Sequence, residues 1–459
     1  MIVRLVLQRA KDCLWINATQ RGGHMLSAEL VQAEIPGIFS RFGEVVNEKT
    51  WLDQTMKIAL EAEAHPELRD YLIEENRVVI ALAECSVAAG SNRGLLPLPL
   101  TLRPQYLEAL VFAWRVVQLA DAARQINNKR HSIFVKRVRE ALRTPHMLKA
   151  MQMEATIATH FVVAGRRVLF PEMGSGSESY DLLVEDLGPK GLEIECKVVT
   201  ADKGRKIHVA ESRELLTRVL KIPCIQHAAE HSKRGLAIRV TVPKRLPDRT
   251  QWDELCRRIA NVVLSGTSNQ ISDGSQVRLF DFDPSMLGVL ETPVPPTMRA
   301  AVDAITGAEN PHFSVLQSKK NDGGIVVVVL DSEQPDSMLH ELFQTFEDSA
   351  GRQLTGKRPG ALFATFEDIG AQKLLDLGSH TFKTGEHSAL EWRASAFLEK
   401  TPNPHVVGVG FLSQPDYSSP QAVSSGTAFW IPKPVSPQWH PSFSGIFGID
   451  PRTTFYPKH

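Results

Sequence analysis

The chain lacks a surplus of charge, a cysteine framework and any long apolar run. Its 459 residues carry 52 basic and 52 acidic side chains, so no global field draws it toward nucleic acid. Its five cysteines (Cys13, Cys85, Cys196, Cys224 and Cys256) show no paired spacing. That argues against a disulfide framework and for reduced thiols in a cytoplasmic protein. No secretory signal is present and no apolar stretch approaches membrane-spanning length, so a membrane is not an expected partner. The longest aliphatic run, Ile325 to Leu330, has the length of a buried strand. There is no internal repeat. A chain of this length is expected to divide into two or three domains.

Local patterning is more informative. Residues 1–143 read as mostly helical, with helical periodicity over Trp51–Ala64, Pro66–Ala89 and Gln105–Gln125 and a break at Pro97-Leu98-Pro99. Beyond 245, strands and helices alternate: helix Trp252–Val263, strand Gln276–Phe282, strand Gly324–Leu330, helix Ser337–Ala350, strand Ala361–Phe366, helix Ser388–Lys400 and strand His405–Leu412. Near-continuous aliphatic strands between helices imply an α/β unit with a partly parallel sheet. The Pro-rich stretch 292–297 reads as a linker, and the last forty residues read as a surface wrap.

The chemistry concentrates near the middle. Ser179 to Val184, a Gly188-Pro189-Lys190-Gly191 turn and Leu192 to Val199 read as two strands of a hairpin. Side chains alternate along a strand, so Glu193, Glu195 and Lys197 share one face and Leu192, Ile194, Cys196 and Val198 the other. Two carboxylates and an amine beside Asp181 suit a hard cation such as Mg²⁺, which takes one or two protein carboxylates and fills its shell with water and phosphate. Alternation alone also describes any strand with one wet face. The order of the neighbouring elements narrows the reading. A helix over Met147–Val162 contains Glu154 and stops at Gly165; a strand Arg166–Phe170 and a Gly/Ser loop, Met173–Ser179, lead to Asp181. A helix over Ala210–Lys221 and a strand over Leu236–Val242 follow.

That order resembles the PD-(D/E)XK nuclease superfamily, with the local motif closest to its Holliday junction resolvase and restriction enzyme branches. Tyr180 stands where the name-giving proline would be, and no Gln-x-x-x-Tyr signature follows. The resemblance covers about Thr144 to Pro243, under a quarter of the chain, and implies a restriction endonuclease-like αβββαβ core over 144–245; the patterning read above sets beside it a helical N-terminal region over 1–143 and an additional α/β C-terminal region over 246–459. It implies Asp181 and Glu195 as ligands of Mg²⁺ or Mn²⁺, with the main-chain carbonyl of Cys196 as a third. Lys197 would serve the attacking water or the transition state, and Glu154 would touch the metal through water. Glu193 falls outside the ligand set.

Basic segments bracket this motif. From Arg124 to Lys149 there are eight basic residues and one acid, and Lys203, Arg205, Lys206, Arg213 and Arg218 follow it. Such segments fit contacts to a phosphate backbone. Arg137, Arg139, Arg143, Lys203, Arg205 and Lys206, with Ser175 and Ser177 of the flexible loop, are the expected nucleic-acid contacts. The expected function is a metal-dependent endonuclease acting on DNA in restriction, phage defence or repair. The alternatives are an RNase, or a catalytically silent nuclease-fold subunit of a larger complex. The expected partners are nucleic acid and either a second copy of the chain or an operon-encoded protein. Gly351 to Arg358 nearly spells a phosphate loop, yet it follows a helix and has Arg358 where Ser or Thr must meet Mg²⁺. His227-Ala228-Ala229-Glu230-His231 matches an inverted zinc-protease pattern, but reads as a surface helix.

Overall fold

Proline, asparagine and glycine punctuate the helices that lead to the site. The computed structural model describes residues 24–25, 34–65, 68–92, 96–97, 103–171, 179–200, 202–231, 233–270, 274–287, 296–308, 311–317, 324–370, 374, 388–400, 402–414, 427–444 and 446–447. A short strand β1 (His24–Met25) precedes helices α1 (Ile35–Val46), α2 (Lys49–Ala64), α3 (Arg69–Glu75), α4 (Arg77–Ser91), α5 (Pro104–Ile126), α6 (Asn128–Ala141) and α7 (Pro145–Val163). Pro104 and Pro145 open α5 and α7, where a missing N–H costs nothing. The Asn127 side chain caps α6 by accepting the Arg130 N–H at 2.9 Å. Gly165, at φ +76°, follows the end of α7 in the left-handed region that stops a helix. Asn76 divides what periodicity alone reads as one helix into α3 and α4.

The chain then forms strands β2 (Val168–Leu169), β3 (Leu182–Val184) and β4 (Leu192–Val199). Gly191 in the β3–β4 turn has φ +75°, and a Cβ there would lie 2.9 Å from the Val184 carbonyl oxygen. Only glycine closes that turn without strain.

Next come α8 (Val209–Leu220), α9 (Pro223–His231), β5 (Gly235–Val242), α10 (Trp252–Ser265), β6 (Asn269–Gln270), β7 (Gln276–Phe282), α11 (Pro296–Thr306), β8 (His312–Gln317) and β9 (Ile325–Ser332). The chain ends in α12 (Met338–Arg352), β10 (Gly360–Gly370), α13 (Ala389–Lys400), β11 (Val406–Gln414) and β12 (Thr427–Pro432). No helix among the described residues is long and apolar enough to cross a membrane.

These elements make a mixed α/β protein of two units. One is drawn from Met1–Glu61, Ile73–Ala201 and Leu339–His459, the other from Ala62–Leu72 and Asp202–Met338. The first unit holds a seven-stranded sheet of order β1-β12-β11-β10-β4-β3-β2. In it β4 runs antiparallel to β3 and parallel to β10, and β10 runs parallel to β11. The second unit holds a five-stranded sheet of order β6-β7-β5-β9-β8. Alternate residues of β9 feed two cores: Val326, Val328 and Leu330 pack with Leu215, Ile225 and Trp252, while Val327 and Val329 pack with Met298 and Val302. That two-sided burial explains its unbroken aliphatic run.

Three expectations about organisation need correction. The strand Gly235–Val242 does not join β4: it pairs with β7 and β9 in the second sheet. The helix and strand that follow β4 in the first sheet are α12 and β10, so 144–245 is not one continuous core. Nor is 1–143 separate, because α5 packs on α1, α4, α6 and α7 within the first unit. In the chain-terminal wrap, residues 427–432 form β12, paired antiparallel with β11. Of the expected linker, 292–295 lie outside the described residues and Pro296 opens α11.

Candidate active site

The β3–β4 ladder sets the register of the acids. It pairs Leu182 with Ile194, Leu183 with Glu193 and Val184 with Leu192. Carried one residue further, that register sets Asp181 opposite Glu195 on the same face. Main-chain groups fix Asp181: its N–H donates to the Ile194 carbonyl at 3.0 Å, and its Oδ2 accepts the Cys196 N–H at 2.8 Å. The N–H and C=O of a strand residue leave on one edge, so the Cys196 carbonyl faces the Asp181 edge. Lys197 shares the face of Glu195. Its Nζ donates to Glu195 Oε1 at 2.5 Å and to Gln353 Oε1 at 2.9 Å.

This face is not a wet one. Every residue from Leu192 to Cys196 is buried, and Glu195 is 1% exposed. Glu195 Oε2 is buried and no protein N–H or O–H donates to it, while the Asp181 carboxyl lies within hydrogen-bonding reach of the Glu195 carboxyl and the two can share a proton. Burial, and then the Asp181 charge, push the Glu195 carboxyl up to about 8, although Lys197 pulls the other way. Burial also raises Asp181, against the Cys196 N–H and the cations Arg137 and Lys197. Glu154, on α7, is buried with its Oε2 2.7 Å from Arg137 Nη2. Burial first, then the Asp181 charge, outweigh Arg137 and push Glu154 up to about 8. Three carboxyls thus face two cations, Arg137 and Lys197. One negative charge is in excess, and a buried site offsets it with a proton held by the group as a whole or with a bound cation.

The donor set fits one hard cation. Asp181 and Glu195 present carboxylate oxygens on adjacent strands, Glu195 Oε2 lacks a donor, and the Cys196 carbonyl lies on the same edge. Among the described residues no three His, Cys, Asp or Glu side chains gather as a self-sufficient metal group. Glu154, the third nearby carboxyl, is paired with Arg137. Two carboxylates with main-chain and water oxygens match Mg²⁺, which seldom uses an all-protein cage. The Cys196 thiol is an unsuitable ligand for such an ion and is pushed up by burial and the surrounding carboxylates.

The expected nucleic-acid contacts fare differently. Arg137 is buried: its Nη1 donates to the Asp181 carbonyl at 3.4 Å and its guanidinium lies 5.6 Å from the Phe170 ring centre. Arg139 donates to the Val46 and Val45 carbonyls at 2.7 and 3.2 Å, closing the end of α1. Neither is a surface phosphate contact, whereas Arg143 is exposed. The physical reason is the α6 stripe. Phe134, Val138 and Ala141 are buried, and Arg137 falls at helical spacing among them. Lys203, Arg205 and Lys206 belong to the second unit. There Arg205 Nη1 lies 3.5 Å from His312 Nε2, and the Lys206 N–H donates to Asp336 at 3.4 Å. Ser175 and Ser177 lie outside the described residues. Of the zinc-like pattern, His227 and His231 are exposed on α9.

Sequence reading missed the segment after α12. Gln353 anchors Lys197, and the Thr355 N–H and Oγ1 donate to Glu193 at 2.8 and 2.6 Å. Arg358 donates to the Tyr180 hydroxyl at 3.3 Å. Glu193, fully buried, therefore serves the loop and not the ligand set. The signal was the near-phosphate loop itself: it joins helix α12 to strand β10, so it is no phosphate cradle, yet it delivers Gln353 to Lys197. Compared with protein-family models, with curated proteins and with solved structures, the chain finds no match in any of the three.

Proposed function

We propose that this protein is a metal-dependent phosphodiesterase acting on nucleic acid, with DNA the first candidate, and that its site is of the PD-(D/E)XK kind. The observation that carries this reading is the meeting of Asp181 and Glu195 beside Lys197, with a buried Glu195 oxygen that no donor satisfies. The element order supports it too: α7, β2, β3, β4, α12 and β10 reproduce the αβββαβ succession once 202–337 is set aside as an insertion. A bound Mg²⁺ would supply charge neutralisation and a water of lowered pKa. Asp181, Glu195 and the Cys196 carbonyl would hold it. Lys197, fixed by Glu195 and Gln353, would donate a hydrogen bond to the attacking water or to a phosphate oxygen. Gln353 acts through Lys197 and is a positioning residue.

The test is a cleavage time course with Mg²⁺ or Mn²⁺ on duplex, single-stranded and branched DNA and on RNA, run beside a binding titration. Lys197→Ala should lower the rate at least about a hundredfold and leave affinity nearly unchanged. Wild type and Lys197→Ala behaving alike on every substrate would overturn the enzymatic reading in favour of a silent binding subunit. Cleavage of RNA alone would move the substrate class.

A further inference from the structure

Arg137 is a buried cation inside a carboxylate site, supplied by a helix that precedes the motif. Its Nη2 stands 2.7 Å from Glu154 Oε2 and 3.8 Å from Asp181 Oδ1. Its Nη1 donates to the Asp181 carbonyl, and the Phe170 ring lies against the guanidinium. A planar guanidinium held on several sides is pre-organised and stays charged. We propose that this site takes a single divalent cation, and that the Arg137 guanidinium is its built-in second cation, bridging Glu154 and Asp181. The inference rests on the metal-dependent reading above.

Two-metal sites place their ions about 3.5–4 Å apart with carboxylates shared between them. Here the carboxylates available for sharing are Glu154 and Asp181, and Nη2 already lies between them. An ion there would meet a fixed positive charge. Charge balance points the same way. The cluster has one negative charge in excess, so one divalent ion leaves it with a single positive charge, matched to one phosphodiester anion. A second ion would leave three. Glu154 is consequently a partner of Arg137 and not a metal contact, which departs from the role its helix position suggests.

The readout is Mn²⁺ stoichiometry on the full chain, by calorimetry and by the electron paramagnetic resonance of free Mn²⁺. Wild type should bind one ion per chain and Asp181→Ala none. Arg137→Met should bind two, because the vacated position leaves Glu154 and Asp181 facing each other. Arg137→Met combined with Glu154→Gln should return to one. Glu154→Gln alone should bind one ion with little change in affinity; this variant decides the matter if Arg137→Met does not fold by circular dichroism. Two ions in wild type, one ion in folded Arg137→Met, or loss of the ion in Glu154→Gln would each overturn the proposal while leaving a metal site standing. No Mn²⁺ bound by wild type would instead overturn the metal-dependent reading beneath it.

Discussion

At the scale of single residues, the site is a contest between burial and charge. Glu154 and Glu195 are both pushed from an ordinary 4.5 to about 8. The native state therefore holds protons between those values that the unfolded chain has released. Stability from this source is complete below the unfolded pKa and is lost as pH rises through the folded one. The steepest loss is about 1.4 kcal/mol per pH unit for each proton involved. In chelator, urea unfolding of the wild type should thus show stability falling from about pH 5 to about pH 8. Glu195→Gln, which cannot ionise, should flatten that slope, and Mn²⁺ should flatten it in the wild type too, because ligands must deprotonate to bind and the bound and unfolded states then carry nearly the same number of protons. An identical slope in wild type and Glu195→Gln would mean that Glu195 does not hold the proton.

At the scale of elements, β4 works because both of its neighbours and the loop after α12 grip it. Glu193 is fully buried and takes two hydrogen bonds from Thr355. Thr355→Val removes the hydroxyl donor from Glu193 Oε1, which keeps the Arg358 guanidinium at 3.9 Å; losing a hydrogen bond to a buried charged group should cost about 1–3 kcal/mol. Urea unfolding should register that loss, and a value within error of wild type would mean that the Glu193–Thr355 contact is dispensable. Much of this element was legible beforehand. Period-two alternation gave Glu193, Glu195 and Lys197 a common face, and the Gly-Pro-Lys-Gly turn fixed the hairpin that brings Asp181 to Glu195. The partner β10 was not legible, since β4 and β10 pair across the whole of 202–337 and local periodicity says nothing about which strand pairs with which. Arg137 was misread because a basic cluster was counted as surface. Its place among Phe134, Val138 and Ala141 on one helix face was the contrary signal.

At the scale of the whole molecule, one unit gathers chain from three separated stretches, and this decides what can fold alone. A fragment of residues 144–245 contains the full local motif, and motif spacing suggests a free-standing domain. It lacks β10, the parallel neighbour that covers Gly360–Phe366 against Glu193–Val199. It also lacks Arg137 and Thr355, which bind Glu154 and Glu193, and Gln353, which helps Glu195 hold Lys197. Its strand β5 loses both ladder neighbours, β7 and β9. Removing one partner of a buried ion pair costs about 3–5 kcal/mol, and a domain's whole stability is about 5–15 kcal/mol. The loss of the Arg137–Glu154 pair, together with the Thr355 hydrogen bonds to Glu193 and the ladders of β4 and β5, exceeds what a hundred-residue fragment can absorb. Residues 144–245 expressed alone should therefore show collapsed amide dispersion by NMR and no cooperative urea transition, while the full chain shows both dispersion and cooperativity. A well-dispersed spectrum with a sharp transition from the fragment would mean that the motif is an autonomous domain and that β10 and the α6 arginine are additions to it.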